Sequence, residues 1–417
     1  VNNAPVFSCD FIGRAVYSSG GRFFAIFQDY VLTSAFQPIY SLSHKRVVGY
    51  EALLRAKDNH GQWVSPQLVF SRQEDEASII YLDRLCRCVH ANNFATLEDD
   101  VNWLFLNVDP QVVVSGTDYG PYFGELLDLC GIPPHRVVIE VVERAVDDQD
   151  RLVETADYYK SLGCLLAIDD FGAGQSNFER IWSLNPHIVK LDRSMVCRAS
   201  TNKRIRNLMS GIVSLLHQAG SLVLMEGIET EEEAMIAMDS DVDFVQGFFF
   251  AQPAQVRVDG WHASRSFERL FAEYKKWIAL DEAAGRERYA GHLMRFMEVA
   301  AKVRSGERLD GACSAFFEDP DVLRCFLLMP DGSQVGKTVV SPLHMENADP
   351  RFRPLDDASS ADWFRRHYLK RALIHPEQLQ ITRPYLSITG AHMCTTLSMM
   401  ISTPKGGRVL CCDINCD

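Results

Sequence analysis

Seven short apolar runs in the first 250 residues each carry a polar group at or near their C-terminal end, and this repeated placement constrains the fold more than any other feature. The runs are VVGYEALLR (47–55), WLFLNV (103–108), VVIEVVE (137–143), LLAIDDFG (165–172), HIVKLD (187–192), LVLMEGIE (222–229) and FVQGFFF (244–250). Runs this apolar suit strands covered on both faces. Polar groups at the ends of such strands are not core filler. If the strands are parallel and close into a barrel, their C-terminal ends meet at one mouth. That mouth gathers Glu51, Asn107, Glu140, Asp169, Asp170, Lys190 and Glu226. Carboxylates at that density repel one another unless cations hold them, so the expected site is an oxygen-rich pocket for hard divalent metals.

Helical patterns fall between the strands, at 66–93 (two helices), 119–130, 149–162, 201–219 and 230–239. Thr230 followed by Glu233 has the form of a capping box opening the last of these. AFQPIYSL (35–42) supplies an eighth strand. Too few residues separate it from 47–55 for a parallel crossover, which needs about a dozen, so the pair is expected to be an antiparallel hairpin. The predicted fold class is α/β, a (β/α)8 TIM-like barrel with one antiparallel strand. A helical linker and a small α+β domain follow it. The expected boundaries are 1–30 for an N-terminal extension, 31–260 for the barrel, 261–305 for the linker and 306–417 for the last domain. FFAIF (23–27), just before the barrel strands, reads as a short strand or apolar plug.

In the linker, Phe267, Leu270, Phe271, Tyr274, Trp277 and Ile278 recur at helical spacing, as do Leu293, Phe296, Met297 and Ala300. Gly285 predicts a break or kink between the two sets. The apolar face needs a partner, which is expected to be the last domain, a second subunit in a homodimer, or, as a passive spacer, the chain's own barrel. In the last domain, VLRCFLLMPDGSQV (322–335) reads as a strand, a turn and a second strand, SADWFRRHYLKRALIH (360–375) as a helix, and 384–403 with 406–414 as further strand pairs.

The bulk properties exclude some functions. With 417 residues and 47 % hydrophobic residues the chain can bury large cores. A net charge of -13 argues against nonspecific duplex DNA or anionic lipid as partners, but not against a small phosphorylated ligand held by metals. No apolar run approaches the ~20 residues of a membrane span. The N-terminal VNNAPVFSCDF has no basic region leading into an apolar one, so a cytoplasmic location is expected. The twelve cysteines form no CxxC pair and read as reduced structural thiols. Cys411, Cys412 and Cys416 with His392 are weighed as a soft-metal site, and buried strand residues are the favoured reading.

Three patterns point to the chemistry. Glu51, Leu53 and Arg55 alternate onto one strand face, which sets a metal-grade carboxylate beside a phosphate-grade guanidinium. Asp169 and Asp170 are adjacent and can reach two ions; metal pairs about 3.5–4 Å apart are usual where phosphate esters are cleaved. Lys190, between Val189 and Leu191, is expected to be buried among the acids, where it can position a water or offset developing negative charge. Gln246-Gly247 offers hydrogen bonds to a base or phosphate.

Together these residues resemble the EAL-domain family of cyclic di-GMP phosphodiesterases over roughly 30–255. The resemblance rests on Glu51-Ala52-Leu53 with Arg55, Gln37-Pro38, Asn107 in LNVDP, Glu140 and Glu143 in EVVE, Asp169-Asp170-Phe171-Gly172, Lys190 in KLD, Glu226 to Glu229 in EGIE, and Gln246-Gly247. The loop continues GAGQSN where GTGYSS is common, so Gln175 and Asn177 are departures. The resemblance implies hydrolysis of cyclic di-GMP to linear pGpG with two Mg²⁺ or Mn²⁺ ions, Ca²⁺ binding but inhibiting. It implies Glu51, Asn107, Glu140, Asp169, Asp170 and Glu226 as metal ligands and Lys190, Glu226 and Glu51 as catalytic groups. Gln37, Leu53, Arg55 and Gln246 would contact substrate, and Glu143 would steady the loop. The last domain is similar to the PAS- or Cache-like sensor of YkuI-type proteins, which implies an unknown small-molecule ligand there. A barrel that binds the dinucleotide without turning it over, and a different metal-dependent barrel enzyme such as a lyase, are the competing readings.

Overall fold

The computed structural model describes residues 7–115, 122–142, 148–174, 178–257, 260–344, 361–387 and 393–416. The chain divides into two compact units, Val1–Lys276 and Trp277–Asp417.

In the first unit the strands are β1 Val16–Ser19, β2 Arg22–Phe27, β3 Tyr30–Ser41, β4 Arg46–Asp58, β5 Trp63–Val64, β6 Trp103–Asn107, β7 Val137–Val142, β8 Leu165–Phe171, β9 Ile188–Leu191, β10 Leu222–Met225 and β11 Phe244–Val245. Strands β3 and β4 pair with each other, and β3 also pairs with β11, so eight strands close in the order β3-β11-β10-β9-β8-β7-β6-β4. Strand β3 runs antiparallel to both neighbours, and the other pairs in the ring are parallel. The closed eight-stranded barrel with one reversed strand is the predicted fold. The short link explains the reversal: Lys45, at φ 53, turns the chain back within a few residues of Ser41. The FFAIF segment lies in β2, which extends the sheet from β3.

Helices Pro66–Ser71, Glu76–Ala95, Phe123–Cys130, Gln149–Ser161, Lys203–Gln218 and Glu231–Asp239 follow the strands where helical patterns are expected. The Thr230–Glu233 capping box is present, each side chain bonding the other's backbone N–H. The short helices Cys9–Gly13, Pro110–Ser115, Phe178–Leu184 and Arg193–Thr201 are additional. The run 244–250 is not a strand throughout. Strand β11 ends at Val245, and the chain then turns at Gly247, whose carbonyl accepts from Phe250 N and Ala251 N.

The barrel interior has a simple register. Ile39, Phe105, Val138, Ala167, Ile188, Leu224 and Phe244 form a closed apolar layer inside the ring. Because side chains alternate along a strand, the residue two positions on faces the same interior, one layer nearer the mouth. Those residues are Asn107, Glu140, Asp169, Lys190, Glu226 and Gln246, with Gln37 on the reversed strand and Glu51 two beyond Gly49. A Cβ on Gly49 would lie 2.6 Å from the Phe105 ring, so that ring occupies the place of a β4 side chain in the apolar layer.

The helix Gly260–Arg304 is continuous through Gly285, so of the expected break or kink there is no break. One interior glycine costs only about 1 kcal/mol relative to alanine, too little to interrupt a helix packed on both sides of it. Its first part is spent on the barrel: the Phe267 ring stacks on Phe250 at 5.4 Å and meets Tyr40 at 5.5 Å, while Lys45 Nζ sits 4.5 Å over Phe271.

In the second unit β12 Val322–Leu328, β13 Gln334–Val340, β14 Gln380–Ile381, β15 Tyr385–Leu386, β16 Met393–Thr403 and β17 Gly406–Asn415 form an antiparallel sheet in the order β13-β12-β17-β16-β14, with β15 also on β16. One sheet face packs Val322, Leu410 and Cys412 in one cluster with Phe296, Val299 and Val303 of the long helix. The other packs Phe326, Val409 and Cys411 under Tyr368, Leu369 and Ala372. The adjacent cysteines 411 and 412 thus serve two cores on opposite faces, which agrees with their reading as strand residues; His392 lies outside the described residues. The helix expected over 360–375 is described from His367 to Ile374, with Trp363 in the turn before it.

Candidate active site

The polar layer at the barrel mouth closes around one ammonium. Lys190 Nζ lies 2.5 Å from Glu140 Oε1, 2.7 Å from Glu226 Oε1, 3.2 Å from Asp169 Oδ1 and 3.8 Å from Glu51 Oε1. The lysine is 1 % exposed and Glu140 is fully buried. Burial alone would favour the neutral amine, but Asp169, Glu140, Glu226 and Glu51 together hold the Lys190 pKa well above the usual value. Burial pushes the Glu140 carboxyl well above the ordinary range; Lys190 opposes this, and the other three acids reinforce it. Glu226 is raised to about 8 by burial, against Lys190 and with Asp169 and Glu51. One ammonium therefore does not neutralise the cluster, which retains an excess of negative charge in a poorly solvated place.

Glu51 is fixed by amides. Asn107 Nδ2 donates to its Oε1 at 3.1 Å, and Gln246 Nε2 donates to its Oε2 at 2.7 Å. Gln246 Nε2 also reaches Gln37 Oε1 at 3.3 Å, and Gln37 Nε2 donates to Ala251 O at 3.3 Å. Gln246 Oε1 is buried without a hydrogen-bond donor. The loops behind this network leave no slack. A Cβ on Gly247 would lie 2.0 Å from the Ile228 carbonyl oxygen, and one on Gly227 would lie 2.5 Å from the Arg193 side chain.

The two adjacent aspartates are separated by backbone geometry. The ladder between β8 and β9 shifts register between Ile168 and Phe171, and Asp170 takes φ 58. This left-handed residue in a bulge breaks the regular strand alternation at Asp170. Gly172 follows at φ 96. Asp170 N donates to Asp169 Oδ1 at 2.9 Å, which orients that carboxylate.

Leu53 and Arg55 lie further along β4, opposite Ala35 and Thr33 of β3, and both are half-buried. Arg55 Nη1 donates to Leu54 O at 3.0 Å; burial lowers its pKa and Glu51 acts in the opposite direction. Glu143 lies outside the described residues, as do Gln175 and Asn177. Sequence reasoning missed Arg193 and Phe248. Both line an open pocket of about 450 Å³ with Gln37, Glu51, Glu226, Glu229 and Gln246, and Arg193 Nη2 pairs with Glu229 Oε2 at 2.6 Å. The available signal was Asp192, which caps the helix Arg193–Thr201 and so sets Arg193 on its first turn, at the mouth.

The donor set fits hard divalent cations. Glu51, Asn107, Glu140, Asp169, Asp170 and Glu226 offer oxygen atoms, and two of the carboxyls, Glu140 and Glu226, are driven toward protonation by burial and, secondarily, by the neighbouring acids. The model for the EAL domain matches residues 26–253. The chain belongs to the EAL-domain family.

The EAL segment is 28% identical over 225 residues to the cyclic di-GMP phosphodiesterase RocR of Pseudomonas aeruginosa, covering 52% of this chain and 56% of that one. It is 27% identical over 225 residues to the EAL-domain protein YkuI of Bacillus subtilis, covering 53% and 54%. The chain spans about half the length of these relatives in sequence. In structure the likeness to YkuI extends through both units. The crystal structure of YkuI in complex with substrate c-di-GMP and calcium superposes with a TM-score of 0.77 over 93% of this chain and 96% of that chain, at 20% identity. That likeness shows the fold. No helix among the described residues is long and apolar enough to cross a membrane.

Proposed function

We propose that the EAL barrel binds cyclic di-GMP with two Mg²⁺ or Mn²⁺ ions and hydrolyses one phosphodiester bond to give linear pGpG. The observation that carries this reading is the closed polar layer, four acids converging on Lys190 with an unbalanced negative charge. Glu51, Asn107, Glu140, Asp169, Asp170 and Glu226 would hold the metals, which when bound supply Lewis acidity and lower the pKa of a water. Lys190 holds that water and offsets charge that develops on the phosphate oxygens. Asn107 and Gln246 lock Glu51 in one orientation, and Gln246 keeps its carbonyl oxygen for a donor on the ligand. Arg55 receives the phosphate, as a planar guanidinium can, with Gln37 and Leu53 beside it. The water oxygen joins phosphorus, the bond to the leaving sugar oxygen breaks, and the proton ends on that oxygen. The intact ligand set favours turnover over binding alone.

Asp169→Asn tests the assignment. It should abolish pGpG formation while cyclic di-GMP still binds, because an amide loses the charge that retains a dication. Turnover within about threefold of the unaltered protein, which is under 1 kcal/mol of barrier, would reject the role.

The finer expectations concern partners. A homodimer is supported by Leu208 and Leu215, exposed two turns apart on the helix Lys203–Gln218, and light scattering decides it. The second unit is read as a sensor that takes a small molecule and alters the barrel's rate.

A further inference from the structure

The sheet of the second unit carries a recess that its core does not require. It opens between β12, β13 and the segment around Trp363, and its volume is about 330 Å³ counting the open mouth. At its base Arg324 of β12 stands directly opposite Asp413 of β17. Arg324 Nε donates to Asp413 Oδ2 at 2.7 Å, and Thr396 Oγ1 donates to Asp413 Oδ1 at 2.6 Å. Both carboxylate oxygens are therefore engaged, and a ligand ammonium would have to displace one of these donors. Arg324 also donates through Nη2 to the Ser387 hydroxyl.

The walls are aromatic. Phe326 meets Tyr368 edge-on at 6.0 Å, and Tyr368 stacks with Tyr385 at 6.5 Å. Trp363 is fixed by its indole N–H, which donates to Gln334 Oε1 at 3.0 Å. A second guanidinium, Arg366, lies at the mouth with its Cζ 5.9 Å from the Trp363 ring centroid. Among the described residues no carboxylate forms an ion pair with Arg366. Among the described residues the recess is thus lined by two guanidinium groups and one carboxylate. A buried ion pair that only joins two strands accounts for Arg324 and Asp413. It does not account for a second arginine above an aromatic-walled void.

We propose that this recess is a receptor site for a small aromatic monocarboxylate. The single unbalanced positive charge sets the ligand at one negative charge, and a carboxylate matches the planar fork of Arg366. The ring walls favour a flat apolar body that lies against them from the open mouth. The proposal rests on the reading of the second unit as a sensor and is independent of the barrel chemistry.

The test uses the full chain and three probes, benzoate, phenylacetate and indole-3-acetate, with benzamide as the uncharged control. Calorimetry should give saturable binding of at least one carboxylate at one site per chain, and binding of benzamide at least tenfold weaker. Arg366→Gln should weaken the carboxylate at least tenfold, because the half-buried Arg366 pairs with no carboxylate among the described residues, and should leave pGpG formation without the probe unchanged. Failure of all three carboxylates to bind overturns the proposal. So does equal binding of benzamide, or unchanged affinity in Arg366→Gln. Saturable binding that leaves the rate of pGpG formation unaltered would reject the sensor reading while the site stands.

Discussion

Replacing Lys190 by methionine keeps the volume and removes the charge, and its effect should depend on metal. In the metal-free protein the ammonium is the one cation amid Glu140, Glu226, Asp169 and Glu51, at 2.5, 2.7, 3.2 and 3.8 Å. Breaking a buried ion pair by removing one partner costs about 3–5 kcal/mol, because the other charge is left uncompensated. For a unit of this size about 2–4 °C of melting temperature is lost per kcal/mol, so the barrel transition of chelated Lys190→Met should fall by about 6–20 °C. Divalent cations that occupy the same oxygens replace the missing charge, and with saturating Mg²⁺ the loss should shrink to less than half. Differential scanning calorimetry of both proteins, with chelator and with Mg²⁺, gives the four temperatures. An equal loss in both conditions would refute the reasoning, since Lys190 and the metals would then not share one set of acids.

The raised carboxyls give a pH dependence of definite sign. Glu226 at about 8 and Glu140 above its ordinary range hold protons in the folded metal-free state that the unfolded chain has lost. Their contribution to stability is fully present below the unfolded value of 4.5 and is lost as pH rises through about 8. The chelated barrel should therefore become less stable over that window. Metal binding displaces the same protons, so Mg²⁺ affinity by titration calorimetry should rise up to about pH 8 and then level; affinity that falls over this range would contradict the assignment. Gly247→Ala puts a methyl 2.0 Å from the Ile228 carbonyl oxygen and should cost about 1–3 kcal/mol in unfolding and displace Gln246 from Glu51, whereas Gly211→Ala, in a helix with nothing within 4 Å, should gain about 0.5–1 kcal/mol; equal denaturation midpoints would reject the packing account. Ca²⁺ should support cyclic di-GMP binding without turnover, because its bonds of about 2.3–2.6 Å are longer than the ~2.0–2.1 Å of Mg²⁺ and its geometry is looser; equal rates in metal-stripped protein would exclude a requirement for tight octahedral ligation.

The barrel was legible because one rule produces both its core and its site. A strand with an inward apolar residue places the residue two positions on one layer nearer the mouth, so pairs such as Val138 and Glu140, or Ile188 and Lys190, carry the whole arrangement in their alternation. The reversal of β3 was legible from the length of its link to β4. Other features depend on backbone conformation or on distant partners. Alternation alone would point Asp169 and Asp170 to opposite faces; the bulge and the left-handed Asp170 are invisible in the residue types. FVQGFFF has the composition of a strand to Phe250, but the close approach of Gly247 to Ile228 turns the chain after Val245. Arg193 was passed over because it opens a short helix not anticipated after Asp192. The helix runs through Gly285 without a break because one interior glycine costs only about 1 kcal/mol.

The most direct test of the central claim is the product formed by the unaltered protein. Metal-stripped protein is incubated with cyclic di-GMP, with and without Mg²⁺, and the nucleotides are separated by chromatography and weighed by mass spectrometry. The account predicts linear pGpG, heavier than the substrate by one water, formed only when Mg²⁺ or Mn²⁺ is restored. Cyclic di-GMP recovered unchanged in the presence of Mg²⁺, or pGpG formed at the same rate with excess chelator, would contradict it.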